Sequence, residues 1–383
     1  MVKKIYVATK VRGFLLDLFT NPDIDAEFLW HKDSVYEINS NLKLLLSKIA
    51  KSRLGDYLGL IQRITVAVDN CDLVFSYNRF LKTEQKYVIY LENPTALFHY
   101  CLNRNATYLG KKKINKYLND PKLQSIVCMS RACYETLDNF YHIPDSVNVQ
   151  QIYPLVNSNP YTSIQTIKEK SNRDVIKCLY VSADFHLKGG REILTAFKAL
   201  RAKGVDNIHL DIITKKEWLP RQVVEDLGKL KGVRVNDFNY TKADLQKTYS
   251  DSNVLLNPTR QDSFPLVVLE AMKAGNVVLA TDLYAIPEMV VDGYNGYLTS
   301  PRYRFYNYDN LPNKLVWNNR KNTIYSDYVD GKIVEFLIDK LLYLNDRRYI
   351  LEELAINSFV KANNKEYSNN AIINKWGHLF KSI

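Results

Sequence analysis

Short apolar runs rich in β-branched and aromatic residues alternate along the chain with longer amphipathic runs. In the first half, four such runs occupy residues 3–9, 72–78, 87–93 and 125–130. Two neighbouring parallel strands must be joined by a crossover connection, which is usually a helix. The alternation therefore predicts a parallel β-sheet covered by helices.

The alternation stops at residues 156–174, which are polar, contain a proline and have no firm period, and which are therefore predicted to be a linker. Beyond this stretch, five more strands are predicted at residues 175–182, 208–214, 233–238, 253–258 and 276–282. Each of the first four is followed by a helical stretch. At about 100 to 200 residues per domain, a chain of 383 residues is long enough for two domains. We therefore expect two α/β domains.

The expected domain boundaries follow from these changes of pattern. The first domain takes residues 1–157, the linker 158–174 and the second domain 175–350. Residues 351–383 include a helix that reaches the end of the chain and could return to the first domain. Residues 300–331 are rich in Tyr, Trp, Asn and Arg. They either form a surface excursion packed by its own aromatic side chains or provide a wall for a ligand or partner.

The composition excludes several classes of protein. With 46% hydrophobic and 24% charged residues, the chain is typical of a soluble globular protein and not of a disordered one. The amino terminus lacks a signal-peptide pattern and no run of about 18 apolar residues is present, so we expect neither export by that route nor a membrane span. The five cysteines are scattered without a CxxC pair, which indicates reduced thiols in a cytoplasmic protein and no metal site.

The formal net charge of +11 favours an anionic partner. Nucleic acid, a lipid surface and phosphorylated metabolites all carry the required charge. The basic residues are dispersed and no groove-reading or stacking motif is present, so we expect no nucleic-acid partner. Neither domain has GxGxxG after its first strand, which disfavours an NAD-dependent enzyme.

Residues 264–275, FPLVVLEAMKAG, have the ends of a short helix. Pro265 has a backbone angle suited to a first helical turn, and the amide it lacks would have had no intrahelical partner. Gly275 lies where a residue in the left-handed conformation commonly ends a helix. The predicted helix is therefore about ten residues long. It begins just after the predicted strand at residues 253–258.

A helix in this position directs its first amides, near Leu266 and Val267, at the carboxyl edge of the sheet. These amides and the helix dipole together attract a diphosphate group. Glu270, further along the helix, could accept hydrogen bonds from the two hydroxyls of a ribose. The alternative is equally open: Asp262 or Ser263 caps the helix, and Glu270 is a solvated residue on its outer face.

Asp262 and Glu270 stand eight positions apart, ahead of an Ala-Met pair at residues 271–272. This arrangement resembles the signature of the retaining glycosyltransferase family 4, which consists of group 1 glycosyltransferases of the GT-B type. Residues 286–301 resemble the family's Pro-Glu turn and Asp-Gly-x-Asn-Gly loop, and residues 181–190 contain a Lys-Gly pair at the family's spacing after a strand. The resemblance implies two Rossmann-like parallel-sheet domains that face each other across a cleft.

The resemblance also implies a reaction, the transfer of a sugar from a nucleotide diphosphate sugar to a hydroxyl with retention of the anomeric configuration. It implies that Glu270 holds the ribose, that Lys188 neutralises the diphosphate and that Asp262 reaches toward the donor sugar. The residues implied to bind the phosphate and the donor sugar next to them are Ser263, Phe264, Leu266 and Val267. Because such groups stabilise the leaving diphosphate electrostatically, we expect neither a metal ion nor a cofactor beside the donor.

Two departures from the family's pattern bear on activity. The first acidic position is usually Glu and is Asp262 here, one methylene shorter, and Ala183 stands where the family commonly has Arg. Arg191 or Arg260 could supply the missing cation. The departures leave a second interpretation open, in which the protein binds a nucleotide sugar without transferring it.

The residues do not identify a catalytic base. Members of this family often have a His after a strand of the first domain, whereas Glu92 follows that strand here and His99 lies a turn or two later. Both are candidates, although a lone His more often makes a core contact. Gly13, after the first strand, could let the backbone approach the donor or acceptor. The Asp-x-Asp at residues 23–25 lies in an acidic, loop-like stretch and is expected to be solvated.

Two basic amphipathic stretches occupy residues 41–51 and 108–118. They are either ordinary solvated helix faces over a core or surfaces that dock on an anionic membrane. Docking would suit a lipid-linked acceptor, whereas a soluble glycan acceptor would not require it. The sequence thus predicts a cytoplasmic enzyme, on the inner face of the membrane if docking occurs, that acts in surface polysaccharide or glycoconjugate synthesis.

Overall fold

The computed structural model describes residues 2–30 and 53–383. The chain divides into two compact units. The first comprises Met1–Leu155 together with Asn369–Ile383, and the second comprises Val156–Ser368. Across the described residues, no helix combines the length and the apolar character needed to cross a membrane.

The first unit is built on a parallel sheet. Its strands are β1 (Lys3–Val7), β2 (Ala26–Leu29), β3 (Ile64–Thr65), β4 (Leu73–Tyr77), β5 (Leu81–Lys82), β6 (Tyr87–Leu91), β7 (Leu123–Cys128) and β8 (Asn148–Gln151). Six of them form the sheet in the order β2-β1-β4-β6-β7-β8, and β3 pairs separately with β5. The four strands predicted from the sequence are β1, β4, β6 and β7. Strands β4 and β6 are buried along their whole length, so their sequences are continuous apolar runs.

The terminal helix of the chain belongs to this first unit. The helices of the unit are α1 (Gly13–Phe19), α2 (Arg53–Tyr57), α3 (Leu102–Ala106), α4 (Tyr108–Leu118), α5 (Arg131–Leu137) and α15 (Asn369–Ser382), with a 3₁₀ helix at Pro94–Phe98. Trp376 of α15 is fully buried, and its ring centroid lies 5.0 Å from that of Tyr90 and 5.8 Å from that of Phe75. Helix α15 therefore packs on the centre of the sheet.

The second unit repeats this architecture. Its strands are β9 (Ile176–Val181), β10 (Ile208–Thr214), β11 (Val233–Asp237), β12 (Val254–Asn257), β13 (Val277–Thr281) and β14 (Gly296–Thr299). All are parallel, in the order β11-β10-β9-β12-β13-β14. The sequence predicts the first five. It does not predict β14, a four-residue edge strand in which only Gly296 is buried, because so short a run has no apolar pattern.

Helices follow the strands of the second unit in turn. They are α6 (Ile164–Ser171), α7 (Gly190–Ala202), α8 (Arg221–Gly228), α9 (Lys242–Asp251), α10 (Leu266–Lys273), α11 (Ile286–Met289), α12 (Lys314–Asn318), α13 (Gly331–Asp346) and α14 (Arg348–Asn363), with 3₁₀ turns at Lys216–Trp218, Arg320–Asn322 and Lys365–Tyr367. Apolar residues of α7, α13 and α14 form one core with the strands, as shown by Phe197, Leu337 and Leu354.

Helix α10 is short because the sequence fixes both of its ends. Pro265 precedes its first residue, and Gly275 follows the cap residue Ala274 with a φ of +62°. A Cβ at Gly275 would lie 2.3 Å from the side chain of Ile167, so space as well as backbone angle requires glycine there. The helix has eight residues, near the predicted length, and its amino end lies just beyond the carboxyl end of β12.

The stretch predicted to be a linker, residues 158–174, contains helix α6 and belongs to the second unit. Ser163 and Thr166 form a capping box at the amino end of α6, and Ile167 is buried in the core of the unit. An eight-residue helix that buries one apolar side chain displays no period in its sequence. The linker prediction is therefore corrected by the structure.

Lys170 of α6 is buried at the carboxyl ends of two helices. Its ammonium donates hydrogen bonds to the carbonyl oxygen of Ser252 at 2.5 Å, to that of Ala274 at 2.8 Å and to Asn276 Oδ1 at 2.8 Å. Ser252 and Ala274 are the cap residues of α9 and α10, so the cation lies at the negative ends of both helix dipoles. Burial lowers the pKa of Lys170 to about 7, while its three acceptors match the three hydrogens of an ammonium.

We expect Lys170→Met to lower the free energy of unfolding of the second unit by about 3 kcal/mol, because three buried oxygens lose their donor. The measurement is urea unfolding followed by far-ultraviolet circular dichroism. The matched control is Lys168→Met, an exposed position on the same helix, which should change the free energy by less than about 0.5 kcal/mol. Equal effects of the two substitutions would contradict the assigned role of Lys170.

Candidate donor site and acceptor-side residues

Two loops meet at the carboxyl edge of the second unit's sheet. The β9–α7 loop carries Lys188, and the β12–α10 loop carries Asp262. The ammonium nitrogen of Lys188 lies 2.6 Å from Asp262 Oδ2 and donates a 2.5 Å hydrogen bond to the carbonyl oxygen of Gln261. The two charged side chains are 23% and 18% exposed. The structure thus brings together two predicted site residues that are 74 positions apart in the sequence.

A glycine makes the close approach of these loops possible. Gly189 has a φ of +79°, and a Cβ there would lie 2.1 Å from the carbonyl oxygen of Pro258. Beside it, the amide of Arg260 donates a 3.0 Å hydrogen bond to the carbonyl oxygen of Leu187. Any side chain at position 189 would push the loops apart and open the ion pair.

Glu270 is held by a buried tyrosine of the neighbouring helix. Its Oε2 accepts a 2.9 Å hydrogen bond from the hydroxyl of Tyr249 in α9. Burial, and then the charge of Glu270, raises the pKa of Tyr249 well above its ordinary value, so the phenol remains a donor. Glu270 itself is half-buried and is not a fully solvated residue of an outer helix face. The local sequence around Tyr249 does not indicate this contact.

The remaining predicted donor residues lie at the start of α10. Ser263 is half-buried, with its Oγ 3.4 Å from the hydroxyl of Tyr306, and Phe264 is buried. Leu266 and Val267 are the first two residues of the helix and are half-buried. Pro265 occupies the cap position, and among the described residues no side chain caps the helix there. Capping by Asp262 or Ser263, the alternative left open by the sequence, is therefore not observed.

Arg260 is not available as the missing cation. Its guanidinium is fully buried, 2.6 Å from the carboxylate of Glu192. Arg191 pairs with Asp327 at 2.9 Å. The expectation that Arg260 compensates for Ala183 is wrong, because a guanidinium closed within a buried ion pair cannot contact a phosphate that arrives from solvent.

In the first unit, Glu92 directly follows β6 at the carboxyl edge of the sheet. Its Oε1 accepts a 2.5 Å hydrogen bond from the hydroxyl of Tyr100, and its Oε2 accepts one from the hydroxyl of Tyr77. Burial, followed by the charge of Glu92, raises the pKa of Tyr77 well above its ordinary value. Two phenols thus position the carboxylate, and its role as a base stays a prediction.

His99 ends the 3₁₀ helix Pro94–Phe98 in a left-handed conformation, with a φ of +60°. Its Nε2 accepts a 2.9 Å hydrogen bond from the amide of Gln62. Burial, and then the charges of Arg79 and Arg104, lowers the pKa of His99 to about 3. A neutral imidazole whose lone pair is already engaged supports the core-contact interpretation of this residue.

Gly13 and the Asp-x-Asp complete the predicted positions. Gly13 is the first residue of α1, and a Cβ there would meet no atom within 4 Å, so the space beside it is open. Asp23 and Asp25 are both exposed in a turn before β2, as expected of a solvated loop. Within residues 2–30 and 53–383, no group of three or more His, Cys, Asp or Glu side chains could hold a metal ion.

Residues 176–306, which include Lys188, Asp262 and Glu270, match the family model described as glycosyl transferases group 1. This part of the second unit is thus similar to a group 1 glycosyltransferase domain. An uncharacterized glycosyltransferase of Methanocaldococcus jannaschii, MJ1069, is 25% identical over 271 residues, which cover 67% of this chain and only 65% of that relative's length. An uncharacterized 41.2 kDa protein in the cps region of Klebsiella pneumoniae is 23% identical over 403 residues, covering 99% of both chains.

Two solved structures have a similar fold. Alr3699/HepE of Anabaena, in complex with UDP and glucose, matches over 100% of both chains with a TM-score of 0.63 at 13% identity. WaaG, a glycosyltransferase involved in lipopolysaccharide biosynthesis, matches over 98% of this chain and 99% of its own with a TM-score of 0.61 at 12% identity. The chain therefore has the predicted GT-B fold with two Rossmann-like parallel-sheet domains.

We expect the stability of the first unit to depend on pH through His99. Its pKa is about 3 in the folded protein against 6.5 in the unfolded chain, so between these values only the unfolded state binds the proton. The free energy of unfolding should therefore fall as the pH is lowered through this window, by up to about 1.4 kcal/mol per pH unit. His99→Gln keeps an acceptor for the Gln62 amide but cannot titrate.

The measurement is urea unfolding of the wild type and of His99→Gln at a series of pH values between about 6.5 and 4.5. The free energy of unfolding should change with pH more steeply in the wild type than in His99→Gln, by up to about 1.4 kcal/mol per pH unit. His142→Gln, at an exposed position of the same unit, is the matched control and should retain the wild-type slope. If the free energy of unfolding of His99→Gln depended on pH as steeply as that of the wild type, His99 would not be held neutral in the folded protein.

Proposed function

We propose that this glycosyltransferase transfers a sugar from a nucleoside diphosphate sugar to a hydroxyl with retention of the anomeric configuration, as in family 4. The observation that carries the proposal is the contact of Lys188 with Asp262 beside the amino end of α10, which also bears Glu270. These are three of the side chains that the family resemblance assigns to the donor. The complex of Alr3699/HepE with UDP and glucose supports a nucleotide-sugar donor.

Departure of the diphosphate is the step that the protein would assist most. As the bond between the anomeric carbon and the diphosphate oxygen breaks, the electron pair remains on that oxygen and negative charge grows there. The ammonium of Lys188 and the amides at the start of α10 would stabilise this charge. The proposal therefore needs no metal ion.

Asp262 would exchange its partner when the donor binds. Without donor, it shares the ammonium of Lys188 with the carbonyl of Gln261. A diphosphate carries more negative charge than a carboxylate and would compete for that ammonium. Asp262 could then accept a hydrogen bond from a hydroxyl of the donor sugar. Glu270, positioned by Tyr249, would accept hydrogen bonds from the ribose on the same helix.

Glu270→Gln should weaken the binding of the matching nucleoside diphosphate about tenfold to a hundredfold, because hydrogen bonds to a charged group contribute about 1.5 to 3 kcal/mol. The measurement is a thermal-shift panel of nucleoside diphosphates, followed by titration calorimetry with the one that stabilises the wild type. Glu335→Gln, an exposed glutamate on α13, is the matched control and should bind like the wild type. A wild type that no nucleoside diphosphate stabilises would contradict the proposed donor.

Turnover distinguishes the enzyme from a protein that only binds nucleotide sugars. Incubation with the donor and an extract of cell lipid or oligosaccharide should release nucleoside diphosphate. Binding without release under any donor would favour the inactive alternative. We further propose a glycan or lipid-linked acceptor and a cytoplasmic role in surface polysaccharide or glycoconjugate synthesis. The relative in the cps region and the likeness to WaaG support that role.

A lipid-linked acceptor would bring the first unit to an anionic membrane, and one of its surfaces suits such a partner. Helix α4 exposes Lys111, Lys112 and Lys116 together with Tyr108, which is 76% exposed. Helix α2 packs against α4 and exposes Tyr57 at 71%. Aromatic side chains beside lysines are typical of surfaces that bind lipid head groups. The other basic stretch, residues 41–51, lies outside the described residues.

The triple variant with Lys111, Lys112 and Lys116 changed to Gln should lose about a hundredfold in affinity for vesicles that contain phosphatidylglycerol, at about 1 kcal/mol per lysine. Flotation at low salt measures the bound fraction. The control is a second triple variant, in which three exposed lysines of the second unit are changed to Gln: Lys168, Lys203 and Lys332. It loses the same charge and should float like the wild type. Wild-type protein that does not float would rule out docking.

A further inference from the structure

The tyrosine-rich segment, residues 300–331, is packed in part by its own aromatic side chains. The rings of Phe305 and Trp317 are stacked with centroids 4.3 Å apart, and Trp317 Nε1 donates a 2.7 Å hydrogen bond to the carbonyl oxygen of Phe305. Both side chains are buried. One of the two interpretations left open by the sequence, a self-packed excursion, is thus correct for this part. It does not account for the contacts that the segment makes with the donor site.

The segment surrounds the guanidinium of Arg260. Three of its carbonyl oxygens accept hydrogen bonds from Arg260, at 3.3 Å from Ile324, 3.2 Å from Ser326 and 2.6 Å from Tyr328. The ring of Tyr328 lies over the guanidinium, with its centroid 4.1 Å from Cζ. A guanidinium has five donors in one plane, so it can bond the carbonyls of three alternate residues and a carboxylate at the same time. Arg260 therefore fixes the path of residues 324–328.

The same guanidinium is joined to the loop that carries Lys188. Arg260 pairs at 2.6 Å with Glu192 in the first turn of α7, where both side chains are fully buried. Glu192 also accepts a 3.0 Å hydrogen bond from the amide of Asp330, the last residue before α13. Helix α7 begins directly after Lys188 and Gly189. The β9–α7 loop, the β12–α10 loop and the tyrosine-rich segment thus meet at one ion pair.

A second contact joins the segment to the donor site. The hydroxyl of Tyr306 lies 3.4 Å from Ser263 Oγ, and its ring is stacked on that of Tyr284 with centroids 4.3 Å apart. Tyr284 follows β13 in a left-handed conformation, with a φ of +49° that is unusual for a residue with a side chain. The stacking holds this residue in place beside the β12–α10 loop.

A buried ion pair is a poor source of stability, because desolvation of both charges offsets their attraction. Two apolar residues of similar volume would usually stabilise such a site equally well. The ion pair differs from them in defining one geometry, through directed hydrogen bonds to three separate segments. Arg260 lies two residues before Asp262, and Glu192 lies four residues after Lys188. The geometry of the ion pair therefore sets the geometry of the predicted donor contacts.

We propose that Arg260 and Glu192 are positioning residues, and that the tyrosine-rich segment is the element through which they hold Lys188 in place for the diphosphate and Asp262 in place for the donor sugar. This inference rests on the proposed function, since it concerns the same donor. It assigns to the segment a role in diphosphate recognition without contact between the ion pair and the substrate.

The double variant Arg260→Met with Glu192→Leu tests the proposal, because it removes both charges together and leaves no unpaired buried charge. The carbonyls of residues 324, 326 and 328 and the amide of Asp330 do lose their partners. The nucleoside diphosphate that stabilises the wild type and the matching monophosphate are titrated by calorimetry into both proteins. We expect the variant to fold, with a circular dichroism spectrum like that of the wild type. The diphosphate should bind at least tenfold more weakly, whereas the monophosphate, held by the ribose contact at Glu270, should bind within about threefold of the wild type.

The single variant Arg260→Lys is the conservative substitution. It keeps the charge opposite Glu192 but not the hydrogen bonds to three carbonyls, so it should retain part of the preference for diphosphate that the double variant loses. Tyr328→Leu removes only the ring above the guanidinium and keeps the test valid if the double variant does not fold. It should weaken diphosphate binding about threefold at unchanged monophosphate binding. Tyr325→Leu, 46% exposed on the same segment, is the matched control and should bind both nucleotides like the wild type.

An unchanged ratio of diphosphate to monophosphate affinity in folded double and Tyr328→Leu variants would overturn the inference and leave the proposed function intact. Equal losses of both nucleotides would also overturn it, since they would indicate a general structural role. A wild type that binds no nucleoside diphosphate would instead contradict the proposed function, and the inference would fall with it.

Discussion

The position of helix α10 depends on buried polar contacts at both of its ends. At the carboxyl end, Lys170 donates to the carbonyl of Ala274. At the amino end, Lys188 and Leu187 of the β9–α7 loop contact the loop that leads into the helix, through the carbonyl of Gln261 and the amide of Arg260. A helix of eight residues has little stability of its own, so these contacts and its packing beside β12 and β13 determine its direction. Its amides can stabilise a diphosphate only if that direction is correct.

The sequence predicts those parts of the molecule that depend on local pattern. The central strands β4, β6, β12 and β13 are continuous apolar runs. Pro265 and Gly275 define α10 because each has a backbone requirement of its own. The residues that hold the site have no such local signal. Tyr249 lies 21 positions from Glu270, and Glu192 lies 68 positions from Arg260. Contacts of this kind exist only after the sheet has formed, so the spacing of residues cannot indicate them.

Two consecutive residues that follow the 3₁₀ helix of the first unit have strained backbone conformations. His99 and Tyr100 are consecutive residues with left-handed backbones, at φ values of +60° and +58°. Such conformations cost about 1 kcal/mol each or more in residues other than glycine. The strained pair brings the hydroxyl of Tyr100 to the carboxylate of Glu92. In open α/β sheets ligands bind at the carboxyl edge, where Glu92 lies, which supports the prediction that Glu92 is a site residue.

Two ion pairs lie close together in the second unit and differ chiefly in exposure. The side chains of Lys188 and Asp262 are 23% and 18% exposed, whereas those of Arg260 and Glu192 are not exposed at all. A pair in contact with water can exchange one partner for a ligand, because solvent compensates the charge that is released. A fully buried pair cannot open without leaving two desolvated charges. The first pair therefore suits a contact that changes when a donor binds, and the second suits a contact that keeps the backbone of the same loop fixed while this occurs.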